Sequence, residues 1–95
     1  MASQVNLNQQ ILSISGDLTF ATVQALHCAV KKLPQAFARD LEVDFVDVAK
    51  VDTASLALCL SIERMMTGGF AVSYKNVPPE MVLIAESVGV DSLFA

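Results

Sequence analysis

The sequence predicts an α/β fold: one domain over residues 1–95, in which a small sheet carries its main helices on one face. A chain of 95 residues leaves room for one core. Strand segments and helix segments alternate along most of the chain, which is typical of α/β domains. The strand segments alternate apolar and polar residues, whereas strands covered on both faces are apolar throughout. Right-handed crossovers between neighbouring parallel strands place successive helices on the same side of the sheet.

The first half of the chain predicts two strands and a helix. Residues 4–7 and 12–15 alternate apolar and polar side chains, and the polar residues between them can form a turn. A helix is expected from residue 19 or 20 to Leu33, because Pro34 cannot continue it. This helix is expected to face the core with one stripe of residues: Phe20, Val23, Leu26, His27, Val30 and Leu33. His27 lies at the boundary of the stripe.

The second half predicts two further strands, each followed by a helix. Alternation indicates strands over residues 41–46 and 70–74. The central helix is expected over residues 54–67, because the Gly-Gly pair that follows favours a helix end. The last helix is expected over residues 79–89, since proline is favoured at the first helical position. Its core face consists of Met81, Ile84, Ala85 and Val88.

Composition argues against nucleic-acid and membrane binding. The net charge of −4 is the wrong sign for a phosphate backbone, which requires clustered Lys and Arg. No apolar run approaches the roughly 18–20 residues that span a bilayer. The first residues lack the basic start and apolar segment of a signal peptide. We therefore expect a cytoplasmic protein without direct membrane insertion.

The sequence predicts no metal, cofactor or catalytic site. Cys28 and Cys59 lie in predicted helices without C-x-x-C spacing, and we expect reduced thiols in or near the core. Glu42, Asp44 and Asp47 indicate a solvated strand edge, not a cation site. The chain has neither a Gly-rich phosphate loop nor a nucleophile elbow, so we do not expect an enzyme.

The candidate site is the turn at which the third strand passes into the central helix. Asp52 and Thr53 lie where side-chain oxygens can accept the first N–H groups of that helix. At 100° per residue, the outward face consists of Thr53, Leu56, Ala57, Leu60 and Arg64, with Glu63 beside them. The core face consists of Leu58, Cys59, Ile62, Met65 and Met66. We expect Asp52 and the outward face to bind a protein partner. The alternative is that Thr53 only caps the helix and that the last helix or a loop covers the leucines.

The sequence around this turn resembles the STAS family. The family pattern is a strand that ends in Asp, followed by Asp-Ser/Thr-x-Gly-Leu at the start of a helix. The strand is similar to Asp44-Phe45-Val46-Asp47-Val48, and the helix start is similar to residues 51–57, Val-Asp-Thr-Ala-Ser-Leu-Ala. Residues 14–18 and 83–90 also look like STAS segments, so the resemblance covers nearly the whole chain. It implies a four-stranded mixed sheet with helices.

One branch of this family implies a transporter subunit. Single-domain STAS subunits of the Gram-negative ABC system that maintains outer-membrane lipid asymmetry read Val-Asp-Thr-Ala-Gly-Leu-Ala, which is similar to residues 51–57. The resemblance implies a non-catalytic cytoplasmic subunit, peripheral to the inner membrane through its complex. It would bind the ATPase subunit of a phospholipid transporter, with the permease in the same complex. Thr53 carries over as the interface threonine, and the implied function requires no cofactor.

A second branch implies a regulatory switch. In anti-sigma-factor antagonists, the second hydroxyl of Asp-Ser-Ser-Gly is phosphorylated, but Ala54 stands at that position here and Ser55 replaces the glycine. The alternative function is therefore a switch in which Thr53 or Ser55 accepts the phosphate. A lipid-binding domain is disfavoured, because 95 residues leave little volume for a lipid pocket.

Overall fold

Four strands form one mixed sheet, and their order in space is their order along the chain. The structure is a computed structural model that describes residues 3–66 and 68–94. The strands are β1 (Gln4–Asn8), β2 (Ile11–Leu18), β3 (Leu41–Val51) and β4 (Val72–Lys75). β1 pairs antiparallel with β2, whereas β2 and β4 both pair parallel with β3. The predicted α/β class and four-stranded mixed sheet are confirmed.

The helices that connect these strands pack against one another. They are α1 (Val23–Lys31), α2 (Ala54–Met65) and α3 (Pro79–Ser87), with short 3₁₀ helices at Pro34–Ala38 and Asp91–Phe94. α1 packs against α2, and α2 packs against α3. The predicted end of the central helix, Thr67, lies outside the described residues. The observed helix ends at Met65, before Gly68 and Gly69, whose φ angles of 65° and 76° are positive.

The core lies between the sheet and the helices. Side chains at alternate positions of β2 and β3 are buried on the helix side, whereas their neighbours on the other face are half-buried or exposed. The largest fully buried side chains are Phe45, Leu12, Ile14, Leu18, Leu26, Leu41, Leu58, Ile62 and Met81. The alternation in the sequence thus predicted the correct buried face of the sheet.

Helix α1 begins later than predicted, and this corrects one residue of its core stripe. The first helical residue is Val23, and Phe20 lies in the preceding turn with 84% of its surface exposed. The turn forms because Thr22 Oγ1 accepts a hydrogen bond from Thr19 N–H and donates one to Asp17 O. Leu26 and Val30 are buried as expected, and His27 is half-buried. Prediction of Phe20 as a core residue was wrong.

Two other expectations about burial were also wrong. Val88 is exposed, because α3 ends at Ser87 and the chain turns away before Val88 can continue the core face. Cys28 is exposed on α1, whereas Cys59 is buried on α2 as expected.

Strand β3 is longer than the sequence indicated and contains two irregularities. Its pairing with β2 shifts register between Ser13 and Ser15, and again between Gly16 and Leu18. Each shift places an additional residue in β3, as in a β-bulge. These extra residues carry the strand to Val51, directly before the candidate site.

Candidate functional site

Asp52 joins two segments of backbone at the carboxyl end of the sheet. Its Oδ1 accepts a hydrogen bond from Ala54 N–H at 2.8 Å, at the start of α2. Its Oδ2 accepts a hydrogen bond from Phe20 N–H at 3.0 Å, in the turn between β2 and α1. A carboxylate is stabilised beside the N–H groups that a helix leaves unpaired. The sequence prediction of Asp52 as a capping residue is confirmed, whereas its contact with Phe20 was not predicted.

Thr53 occupies the N-cap position of α2 without acting as a capping side chain. Its side chain makes no cap hydrogen bond, and the residue is exposed. Because Asp52 supplies the cap through Ala54 N–H, the Thr53 hydroxyl is not needed to stabilise the helix start. The alternative reading, in which Thr53 serves only as a cap, is wrong.

Ser55 is completely buried at the start of α2. It is 0% exposed, and its Oγ donates a hydrogen bond to Asp52 O at 2.7 Å. The hydroxyl therefore has a partner at the position where the family resemblance expects glycine. A kinase cannot reach this oxygen while the start of α2 is folded. Of the two phosphate acceptors suggested by the sequence, only Thr53 is exposed.

The outward face of α2 contains four of the five predicted residues. Thr53, Ala57, Leu60 and Arg64 are exposed, and Leu60 has 37% of its surface accessible. They follow one another at spacings of three or four residues, which places them on one stripe of a helix. This stripe, consisting of Thr53, Ala57, Leu60 and Arg64, is called the α2 strip below.

Leu56 does not belong to the α2 strip, and this corrects the sequence prediction. Only 4% of its surface is exposed. Its direction on the helix is rotated about 60° from Thr53, towards the side that carries Cys59 and Glu63. This side faces β4, because Tyr74 OH donates a hydrogen bond to Glu63 Oε2 at 2.8 Å. Leu56 therefore contributes to packing, and the α2 strip contains one leucine instead of the two that were predicted.

Helix α1 provides a second wall to this surface, which the sequence analysis did not predict. A cavity of about 230 Å³ lies between Val23, Gln24 and His27 of α1 and Ala57, Leu58 and Ser61 of α2. Ala57 belongs both to this groove and to the α2 strip. The spacing of the α1 residues by one helical turn was visible in the sequence, but only the tertiary packing of α1 beside α2 reveals a shared groove.

Aromatic packing fixes the far side of α2. The Tyr74 ring stacks on Phe45 at a centroid distance of 6.0 Å and meets Phe94 edge-on at 5.3 Å. Burial, and secondarily the charge of Glu63, raises the pKa of the Cys59 thiol to about 12. Burial is also the main reason why the pKa of Tyr74 is raised, with further contributions from Cys59 and Glu63. Both groups are protonated at neutral pH, and both serve packing.

A larger cavity, about 430 Å³, lies at the opposite end of the sheet. Its polar lining makes hydrogen bonds within the protein: Gln10 Nε2 donates to Asp40 O, and Asp40 Oδ1 accepts from Ala71 N–H. These bonds connect the β1–β2 turn to the starts of β3 and β4. The geometry indicates a structural junction.

The described residues provide no metal cluster and no membrane-spanning helix. Over residues 3–66 and 68–94, His, Cys, Asp and Glu side chains form no group of three that could hold a metal ion. No helix within the same ranges is long and apolar enough to cross a bilayer. The exposed features of the site are therefore a hydroxyl, small and apolar side chains, and one arginine.

The sequence as a whole matches a family whose description is "Mlab, STAS domain", over residues 1–95. The chain belongs to the STAS family. The match covers residues 1–95, so membership of the family does not depend on residues 51–57 alone. None of the curated proteins compared with the chain matches it.

Solved structures of one STAS-like protein have the same fold. The anti-sigma factor antagonist SpoIIAA in its unphosphorylated form is similar with a TM-score of 0.64 and 17% identity, over 90% of this chain and 82% of that chain. The phosphorylated form of SpoIIAA, a Bacillus cell fate determinant, gives a TM-score of 0.67 and 16% identity, over 99% of this chain and 89% of that chain. At these identities the similarity establishes the fold alone.

Proposed function

We propose that this STAS domain is a non-catalytic subunit of a phospholipid-transport ABC complex, in which it binds the ATPase subunit through the Asp52-Thr53 turn and α2. The proposal rests on the exposure of Thr53. Its side chain is not needed as a cap, because Asp52 accepts the hydrogen bond from Ala54 N–H at the start of α2. A hydroxyl on a rigid turn can form a contact without losing much conformational freedom. The family description, which names Mlab, supports the same assignment.

The α2 strip provides the remainder of the proposed contact. Ala57 is small enough to allow close approach of a partner, Leu60 presents apolar surface, and Arg64 places a positive charge at the end of the helix. An arrangement of apolar centre and charged rim is usual in protein interfaces. The ATPase would connect this subunit to the permease and thereby to the inner membrane.

The proposal is tested by purifying the tagged protein from its host and identifying the proteins that co-elute. We expect an ABC ATPase with its permease. Thr53→Arg should reduce recovery of the ATPase more than about 100-fold, because an unpaired charge buried in an interface costs about 3 kcal/mol or more.

A matched substitution on another surface provides the control. Gln35 is exposed on the 3₁₀ helix that leads to the start of β3, so Gln35→Arg adds the same charge at the other end of the molecule. Recovery of the ATPase with this variant should equal that of the wild type, and circular dichroism should show both variants folded. Equal recovery with Thr53→Arg and wild type would contradict the proposed function.

A regulatory switch is the second candidate, and the shared fold with SpoIIAA favours it. Ala54 supplies no hydroxyl, and Ser55 is buried, so Thr53 is the accessible acceptor at the turn. Under this candidate, the purification would instead recover a serine kinase or a sigma-factor regulator. Intact mass measurement of the recovered protein would then show an added phosphate that is absent from Thr53→Ala.

A further inference from the structure

We propose that Phe20 is the principal apolar anchor of the same docking surface and inserts its ring into an apolar pocket of the ATPase subunit. This inference rests on the proposed function and deepens it. Phe20 is 84% exposed, more than any other large apolar side chain in residues 3–66 and 68–94. The exposure of one apolar residue is common in soluble proteins, so the inference depends on how Phe20 is held and where it lies.

Two sets of hydrogen bonds fix the turn that presents Phe20. On one side, Asp52 Oδ2 accepts a hydrogen bond from Phe20 N–H at 3.0 Å. On the other side, Thr22 Oγ1 accepts a bond from Thr19 N–H at 3.0 Å and donates one to Asp17 O at 2.8 Å. The backbone of the turn is therefore ordered before any partner binds. An ordered aromatic residue binds with a small loss of conformational entropy.

Phe20 lies with its backbone beside the start of the α2 strip. Its backbone is bonded to the residue that immediately precedes Thr53. Three residues after Phe20, Val23 begins the α1 wall of the groove whose α2 wall includes Ala57. A partner seated on Thr53 and Ala57 would therefore lie close to the turn that carries Phe20.

The chemistry around Phe20 defines the partner surface. Its neighbours Thr19, Ala21 and Thr22 are uncharged, and the nearby Asp52 uses both carboxylate oxygens within the protein. The complementary surface should accordingly be an apolar pocket that accepts a phenyl ring. Leu60, with 37% exposure, offers far less apolar surface, and Leu56 is buried. Phe20 therefore supplies the largest apolar contribution available at this site.

The experiment measures the affinity of the purified protein for the ABC ATPase that is recovered with it. Phe20→Ser should weaken binding on the order of 10- to 100-fold, the effect of withdrawing one buried aromatic side chain. Phe20→Leu should retain most of the affinity, because it preserves apolar surface. The loss in Phe20→Ser should be similar at low and high ionic strength, since salt screens charges and not apolar contacts.

The matched control is Leu83→Ser, which removes another exposed apolar side chain (65%) from α3. This variant should bind with an affinity within about twofold of wild type. All three variants should unfold at the wild-type urea midpoint within error, because neither exposed side chain belongs to the core.

Wild-type affinity in Phe20→Ser, together with loss of binding in Thr53→Arg, would overturn the anchor and leave the proposed function standing. Absence of any binding by the wild type would overturn both. A wild-type dimer that Phe20→Ser converts to a monomer would assign the ring to a second copy of this chain and overturn the proposal.

Discussion

Asp52 and Thr53 are adjacent in the sequence but have different physical roles. The Asp52 carboxylate accepts hydrogen bonds from Ala54 N–H and Phe20 N–H, so it stabilises both the start of α2 and the turn before α1. The Thr53 side chain makes no capping hydrogen bond and is exposed. Asp52 therefore stabilises the fold, and Thr53 is available for contact.

This difference predicts that two alanine substitutions have unequal effects on stability. Asp52→Ala should lower the free energy of unfolding by about 1–3 kcal/mol, because two backbone donors lose a charged acceptor. Thr53→Ala should change it by less than about 0.5 kcal/mol. Urea denaturation followed by circular dichroism measures both values. Equal losses in the two variants would show that Thr53 has a structural role that its hydrogen bonding does not explain.

At the scale of elements, the sequence predicted the existence of every strand and α-helix but not all of their ends. Helical periodicity extended α1 back to Phe20, because an aromatic residue there matched the apolar stripe. The turn that excludes Phe20 from the helix is held by the local hydrogen bonds of Thr22 and also by the bond from Phe20 N–H to Asp52, which lies 32 residues away in the sequence. The exposure of Leu56 was mispredicted for a related reason. The angle of Leu56 on the helix follows from the sequence, but the packing of other elements against that side of α2 does not.

The β1–β2 hairpin contains backbone strain that the sequence did not reveal. Gln9 and Gln10 form the two-residue turn with φ angles of 51° and 66°, the left-handed region required by a type I′ turn. Glutamine is not a favoured residue there. The Gln10 side chain offsets the strain, since its Nε2 donates to Ala36 O and Asp40 O, each at 3.1 Å.

Gln9→Asn should therefore stabilise the protein by roughly 0.5 kcal/mol, because asparagine tolerates the left-handed region better. Gln10→Gly relieves strain as well, but it removes the two side-chain hydrogen bonds, so no gain in stability is expected. Thermal or urea unfolding of the two variants tests the distinction. A lower stability of Gln9→Asn than of wild type would mean that the Gln9 side chain makes a contribution of its own.

For the whole molecule, the buried thiol of Cys59 and the half-buried phenol of Tyr74 contribute to how stability responds to alkali. Burial, followed by the charge of Glu63, raises the pKa of Cys59 from 9.0 to about 12, and burial raises the pKa of Tyr74 above its ordinary value of 10.0. At pH values between the ordinary and the raised pKa values, the unfolded chain releases protons that the folded chain retains. The free energy of unfolding must then decrease as pH rises.

We expect stability to fall progressively from about pH 8 upwards, because a thiol with an ordinary pKa of 9.0 begins to ionise there in the unfolded chain. Urea midpoints measured from neutral pH to about pH 11 would trace this decrease. Cys59→Ala and Tyr74→Phe each remove one of the two groups, so each variant should show a shallower alkaline decrease than wild type even if it is less stable at neutral pH. An unchanged slope in both variants would assign the decrease to other groups.

The order of the strands has a consequence for how the chain can fold during synthesis. Since β1, β2, β3 and β4 lie side by side in the order in which a ribosome releases them, no strand must be inserted between two that are already paired. Each parallel pairing closes a segment of about 30 residues, as in the pairs Ile11–Glu42 and Leu41–Val72, and loop closure of this length carries a modest entropic cost. Growth of the sheet can therefore proceed in one direction, with each emerging strand adding to the existing edge. The Asp52 bond to Phe20 can form as soon as β3 is complete, before β4 has been translated.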